Sequence, residues 1–255
     1  MTPTLWDIHV HLDFMRDMAS VAADAEALGL GLFAVTVEPK GYERARRELA
    51  DASNVRVGAG LHPWWVADGR CGEAELAEVV ALVRKMRYVG EVGLDLSPKH
   101  VPEGSLETQL AAFQAIVTAA ADTSDPAAPK LLSIHSVRAG GLALDVLERT
   151  RALATCNCIF HWFSGTSDEL HRAVKAGCWF SINEMMLRTR RGREYARQLP
   201  ARRLLLETDL PPGEDVLFAA TDIVASLERT LEQLSAIRSC DVRGLTCENA
   251  ERLLA

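Results

Sequence analysis

Short runs of apolar, β-branched and aromatic residues alternate along the chain with longer stretches in which Ala, Leu, Glu and Arg recur at helical spacing. The runs predict strands at 6–10, 31–37, 55–60, 88–93, 131–135, 156–161, 178–182 and 203–208. The amphipathic stretches predict helices near 17–28, 42–51, 73–86, 105–121, 139–151, 167–176, 190–198 and 219–238, with a last one near 246–254. Eight strand–helix units in 255 residues exceed what an open doubly wound sheet of that length carries. The pattern therefore predicts an α/β fold, a (β/α)8 barrel. The stretch "DTSDPAAPK" at 122–130 is short enough to be an ordinary helix-to-strand connection, so residues 1–255 read as a single domain.

Polar residues interrupt this pattern where the strands end. The first run, "WDIHVHLDF", carries His9 and His11 two residues apart. In a strand they share a face with Asp7 and Asp13, while Ile8, Val10 and Leu12 take the other. The third run ends in "GLHP" with His62; the fourth, "YVGEVGLD", holds Glu91 and Asp95. Then "LLSIHS" brings His135, "CIFHWF" brings His161, and "LLLETD" brings Glu207 and Asp209. In a barrel of this kind the C-terminal strand ends form the active face. The pooled imidazoles and carboxylates match the donor set of Zn²⁺, Mn²⁺ or a similar divalent ion. Six ligands exceed one tetrahedral ion, and Glu91, on a middle strand, can bridge two, so the placement predicts a binuclear centre. Glu207 reads as structural, and His100 and His171 read as surface residues.

Composition narrows the function. The formal net charge of −7 excludes a nucleic-acid binder held by its overall field, although a local basic patch or a metal still attracts phosphate. Cys71, Cys156, Cys158, Cys178, Cys240 and Cys247 show no CxxC pairing, and no apolar leader opens the chain. Reduced thiols and a cytoplasmic location are expected. Cys156 and Cys158 read as core thiols rather than ligands. No apolar run approaches the roughly 20 residues of a membrane span.

Taken in order, "DIHVHLD", "GLHP", "VGEVGLD", "IHS", "FHWFSG", "LLLETDLP" and "NAERLL" resemble the TatD family of metal-dependent hydrolases, a branch of the amidohydrolase-like barrels. The resemblance runs from residue 7 to 254. It implies a TIM barrel with two divalent metal ions (Zn, Mn or Mg) and phosphodiester hydrolysis, typically as a 3′-to-5′ deoxyribonuclease acting on DNA. By motif, His9, His11, Glu91 and Asp209 would hold the first ion, and Glu91, His135 and His161 the second. A water activated by the ions would attack phosphorus, with Asp209 accepting its proton and His62 beside the scissile phosphate. The same ions polarise a carbonyl, so hydrolysis of an acyl bond, as in an amide, lactone or aminoacyl ester, is the alternative. A scaffold without catalysis is a third reading, set against the complete ligand set.

Some positions depart from the family pattern. In "IHSVRA", Arg138 stands one place later than the arginine of the usual His-Ser-Arg. After "ETDLPP" the basic segment with Arg-Gly-Lys is absent. The stretch "SINEMMLRTRRGRE" instead gathers Arg188, Arg190, Arg191 and Arg193, which is either a solvated helix start or a track for a nucleic-acid backbone. The stretches "FHWFSGT" and "GCWFSINEMMLRTRRGR" resemble the TatD-like nuclease, QatD, of Qat-type antiphage systems, which implies ATPase and QueC-like partners. Trp64, Trp65, Trp162 and Trp179 are candidates to stack on bases, Trp162 more simply as pocket lining. The expected substrate contacts are His62, Arg138, Trp162, Arg188 and Arg190.

Overall fold

A computed structural model describes residues 3–254. Its strands are β1 (Leu5–Val10), β2 (Leu30–Val35), β3 (Val55–Leu61), β4 (Tyr88–Asp95), β5 (Leu131–Val137), β6 (Asn157–His161), β7 (Trp179–Ile182) and β8 (Leu204–Leu206). The helices are α1 (Met18–Ala27), α2 (Pro39–Glu48), α3 (Pro63–Ala67), α4 (Glu73–Lys85), α5 (Leu106–Asp122), α6 (Gly140–Arg149), α7 (Ala152–Thr155), α8 (Ser167–Lys175), α9 (Glu184–Leu187), α10 (Arg190–Gln198), α11 (Ala220–Arg238) and α12 (Arg243–Leu254). The strands follow one another in sheet order β1 to β8 and pair in parallel. Every expected strand is present with its ends within two residues of the expected ones.

The helices that periodicity missed, α3, α7 and α9, are short, and two of them start from a side chain. At α3, His62 Nδ1 accepts from Trp64 N–H at 3.1 Å and Pro63 occupies the first turn, where its missing N–H costs nothing. At α9, Asn183 Oδ1 accepts from Met186 N–H at 2.7 Å. Helices of four or five residues are too short to display a period.

Contacts divide the chain into two compact units. The first takes residues up to 34, 43–57 and from 180 onward. All six residues of β1 are buried, as expected for a parallel strand covered on both faces. Trp6 lies against Gly31, where a Cβ would come within 2.5 Å of the indole ring. Asn249 on α12 donates to the carbonyls of Ala201 and Leu204 at 2.9 and 2.8 Å, which ties the last helix to the start of β8.

The second unit takes residues 35–42 and 58–179. Its centre is β4, β5 and β6, backed by Phe113, Ile116 and Val117 of α5, all buried. Each such side chain removed from water contributes about 1.5–3 kcal/mol before entropy is counted. Gly93 of β4 stands opposite His135 of β5, with φ of 150°. A Cβ there would meet the His135 carbonyl oxygen at 2.0 Å, so glycine is required for β4 to approach the strand that carries His135.

Candidate metal-binding clusters

In the first unit, the cluster is built where β1 and β8 end. Asp209 N–H donates to the His9 carbonyl at 2.9 Å, and His11 N–H donates to the Leu210 carbonyl at 2.8 Å. This backbone clamp sets Asp209 Oδ1 at 3.5 Å from His9 Nε2 and 3.3 Å from His11 Nε2. Asp209 adopts a left-handed backbone, φ 59°, which strains a non-glycine residue and is held by the clamp. The His11 ring lies flat on Phe14, centroids 4.7 Å apart, which fixes its plane.

Asp7 sits beneath this cluster, fully buried. It accepts from His9 N–H at 3.1 Å, Thr208 N–H at 3.0 Å and the Thr208 hydroxyl at 2.5 Å. Burial pushes its carboxyl up to about 7 against the pull of those hydrogen bonds. One carboxylate thereby joins the segment of His9 to the segment of Asp209. Glu207 has a different task. Its oxygens accept from the Ser181 hydroxyl and from Asn183 Nδ2, the latter at 2.8 Å, which anchors the residue that caps α9.

In the second unit, three buried imidazoles carried by or just past β3, β5 and β6 converge on one oxygen of Glu91, in the middle of β4. Glu91 Oε1 lies 2.8 Å from His135 Nδ1, 3.0 Å from His161 Nε2 and 3.2 Å from His62 Nε2. His161 Nε2 and His135 Nδ1 are themselves 3.2 Å apart. Three imidazole nitrogens around one carboxylate oxygen call for positive charge among them, as protons or as a metal ion. The donor set therefore fits a divalent cation.

The three rings are not equivalent. His62 Nδ1 accepts a backbone N–H, so in the neutral ring the proton sits on Nε2, the nitrogen facing Glu91. His62 is thereby a hydrogen-bond donor rather than a lone-pair ligand. His135 Nε2 instead faces Asp95 Oδ2 at 3.1 Å, leaving Nδ1 toward Glu91. Burial disfavours charge on His135, but Asp95 and Glu91 on either side outweigh it and raise its pKa. Burial likewise works against charge on Asp95, yet the hydrogen bonds from His135 and Trp64 prevail and hold its carboxyl down at about 2.

His100 is exposed, as expected, and is also tied to Asp95. Its Nδ1 lies 3.3 Å from Asp95 Oδ2, and its ring lies tilted by 44° against that of Trp64 with centroids 4.5 Å apart. The contact is local, since His100 follows Asp95 by five residues in the segment after β4. His171 is exposed, as expected. Trp65 and Trp179 are buried, which removes them as stacking surfaces; Trp64 and Trp162 are only partly covered. Cys158 is buried and Cys156 half-buried, with burial pushing both thiols up, as suits core positions.

Arg138 and Trp162 each follow a strand end in a left-handed backbone, φ 55° and 39°. Arg138 is exposed. Arg188 reaches Glu184 Oε1 at 3.4 Å and is partly neutralised, while Arg229 holds the other oxygen of Glu184 at 2.9 Å. Arg190 and Arg191 are exposed on the first turn of α10.

Residues 6–255 match the family model described as TatD related DNase. The chain belongs to the TatD family. It is 30% identical over 217 residues to a Klebsiella pneumoniae protein named 3′-5′ ssDNA/RNA exonuclease TatD, covering 81% of this chain and 78% of that one. It is 27% identical over 266 residues to human Deoxyribonuclease TATDN3, covering 98% and 94%. Among solved structures, a TatD homologue of Escherichia coli superposes with a TM-score of 0.79 at 20% identity, covering 99% and 98%. The Escherichia coli phosphotriesterase homology protein superposes at 0.57 with 15% identity, covering both chains fully. These likenesses show the (β/α)8 TIM barrel. The named relatives are nucleases, hydrolases of phosphoester bonds, and the His, Glu and Asp clusters described above have the donors of a metal site. No helix among the described residues is long and apolar enough to cross a membrane.

Proposed function

We propose that this TatD-family hydrolase is a divalent-metal-dependent phosphodiesterase that removes nucleotides from the 3′ end of DNA. The observation that carries the reading is the convergence of His62, His135 and His161 on Glu91 Oε1 in a chain whose relatives bear nuclease names. His9, His11 and Asp209 supply the donors for one ion, His135 and His161 those for another, and Glu91 is the carboxylate that the motif order gives to both. When bound, such ions activate a water near neutral pH and neutralise charge on the phosphoryl oxygens.

The chain's own groups do the rest. Asp209 accepts the proton of the attacking water, a task suited to a carboxylate that keeps some contact with solvent. His62 offers Nε2–H to a phosphoryl oxygen, with Nδ1 held by Trp64 N–H so that the donating nitrogen does not change. Arg138, Arg190 and, less strongly, the paired Arg188 receive the phosphates of the strand, and Trp162 lines the path of the terminal nucleotide. An antiphage role beside an ATPase and a QueC-like protein is part of this proposal.

The test is digestion of single-stranded DNA labelled at either end by metal-depleted protein, with Mn²⁺, Mg²⁺ or Zn²⁺ restored singly and Glu91→Ala in parallel. Mononucleotides released from the 3′ end, needing both metal and Glu91, are expected. Intact DNA with every ion, alongside hydrolysis of an acyl ester or amide, overturns the reading in favour of acyl chemistry. Plaque counts for phage on cells carrying the wild type or Glu91→Ala test the defence role.

A further inference from the structure

We infer that Asp95 is the positioning residue that fixes which ring nitrogen of His135 faces the metal-binding cluster. This rests on the reading above that His135 is a ligand. A neutral imidazole has one N–H and one lone pair, and a ligating histidine presents the lone pair while its other nitrogen donates to an acceptor. His135 Nδ1 points at Glu91 Oε1, 2.8 Å away, and its Nε2 at Asp95 Oδ2, 3.1 Å away. Asp95 holds the proton on Nε2 and so leaves the Nδ1 lone pair for the ion.

Asp95 is suited to this because it is itself immobilised at the end of β4. Its Oδ1 accepts from Ser97 N–H at 2.6 Å, and its Oδ2 accepts from Trp64 Nε1–H at 2.6 Å. Its main chain is gripped by Gln109 of α5, whose Oε1 accepts from Asp95 N–H at 2.8 Å and whose Nε2 donates to the Asp95 carbonyl at 3.0 Å. Gln109 is buried and ends in Ser105 Oγ at 3.0 Å. His100 adds a further contact to Oδ2 and lies against the Trp64 ring. Both oxygens of Asp95 are thus committed, one to the backbone of its own loop and one to the rings of Trp64, His135 and His100.

That arrangement defines what asparagine does at this position. If its oxygen stays with Ser97 N–H, its NH₂ group confronts the Trp64 and His135 N–H groups. If it turns around, NH₂ confronts Ser97 N–H. In the first orientation His135 must shift its proton to Nδ1, the nitrogen required by the ion. Trp64→Phe, by contrast, removes a different donor from the same oxygen and leaves the His135 contact in place.

The experiment compares wild type, Asp95→Asn and Trp64→Phe in two measurements without DNA. The first is a competition titration of metal-depleted protein with Zn²⁺ alone. Asp95→Asn is expected to weaken binding by about 10- to 100-fold, the usual size of such an outer-partner effect, with Trp64→Phe close to wild type. The second is the ¹⁵N spectrum of His135 in metal-free protein at a pH where the ring is neutral: Nε2–H in wild type and Trp64→Phe, and in Asp95→Asn a gain of Nδ1–H to the extent that the amide keeps its oxygen on Ser97 N–H. Wild-type affinity in Asp95→Asn, or an equal loss in Trp64→Phe, overturns the inference and makes Asp95 a packing element. Failure of the wild type itself to bind Zn²⁺ overturns the proposed function instead.

Discussion

The backbone N–H of Asp209 donates to the carbonyl of His9 at 2.9 Å, while the Asp209 carboxylate lies 3.5 Å from the ring of the same histidine. The two residues are joined twice, by main chain and by side chain, across 200 positions of sequence. Because the main-chain bond survives substitution and asparagine tolerates a left-handed backbone well, Asp209→Asn is expected to lose less than about 1 kcal/mol of stability. The loss of the proton acceptor should lower kcat by about 10²- to 10⁴-fold. Thermal melting and steady-state DNA digestion check the pair of outcomes.

Asp7 provides a contrasting case, in which shape matters more than charge. Asp7→Ala leaves two buried backbone N–H groups, those of His9 and Thr208, without their acceptor, at about 1–3 kcal/mol each. Asp7→Asn keeps an oxygen toward both and lets its NH₂ donate to the Thr208 hydroxyl. Denaturant unfolding should show a large drop for alanine and a small one for asparagine, with metal affinity following the same order.

Arg138 is exposed yet held at φ 55°, a conformation costing a non-glycine residue about 1 kcal/mol. Arg138→Gly should therefore raise stability by about 0.5 kcal/mol once glycine's greater backbone entropy is set against it. If the guanidinium meets a phosphate, the same variant binds single-stranded DNA more weakly, and its log–log salt slope falls by about 0.7. Gain of stability without change in binding would reduce Arg138 to a strained surface residue.

The arginines near α10 differ in their freedom. Arg188 shares Glu184 with Arg229, whereas Arg190 and Arg191 face solvent from the first turn of the helix. Substituting Arg190 and Arg191 together by glutamine should reduce the salt slope for single-stranded DNA by about 1.4. Arg188→Gln should change it less. Fluorescence anisotropy across a salt series measures both, and an unchanged slope in the double variant would remove α10 from the substrate path.

Metal should also be visible in stability. An ion that binds only the folded chain adds about 2.7 kcal/mol when present at 100 times its dissociation constant. Melting with and without Zn²⁺ should show this gain in wild type and a smaller one in His161→Ala, which removes a nitrogen 3.0 Å from Glu91 Oε1.

Apolar runs of period two and amphipathic stretches of period 3.6 are local properties, so the sequence determined the eight strands, the long helices and the (β/α)8 class by itself. It also exposed His9, His11, His62, Glu91, His135, His161 and Asp209, because a polar side chain at the end of an apolar strand stands out. The tertiary structure decided what those residues do to one another. The hold of Trp64 N–H on His62 is a local cap contact, whereas the meeting of His135 Nε2 with Asp95 joins residues 40 positions apart on neighbouring strands, which spacing does not relate. The joining of Asp7 to Thr208 depends on where segments 201 residues apart meet in space. The short helices α3 and α9 arise from single capping side chains rather than from periodicity. Local pattern places a donor on a strand end; only packing and hydrogen bonding choose its proton and its direction.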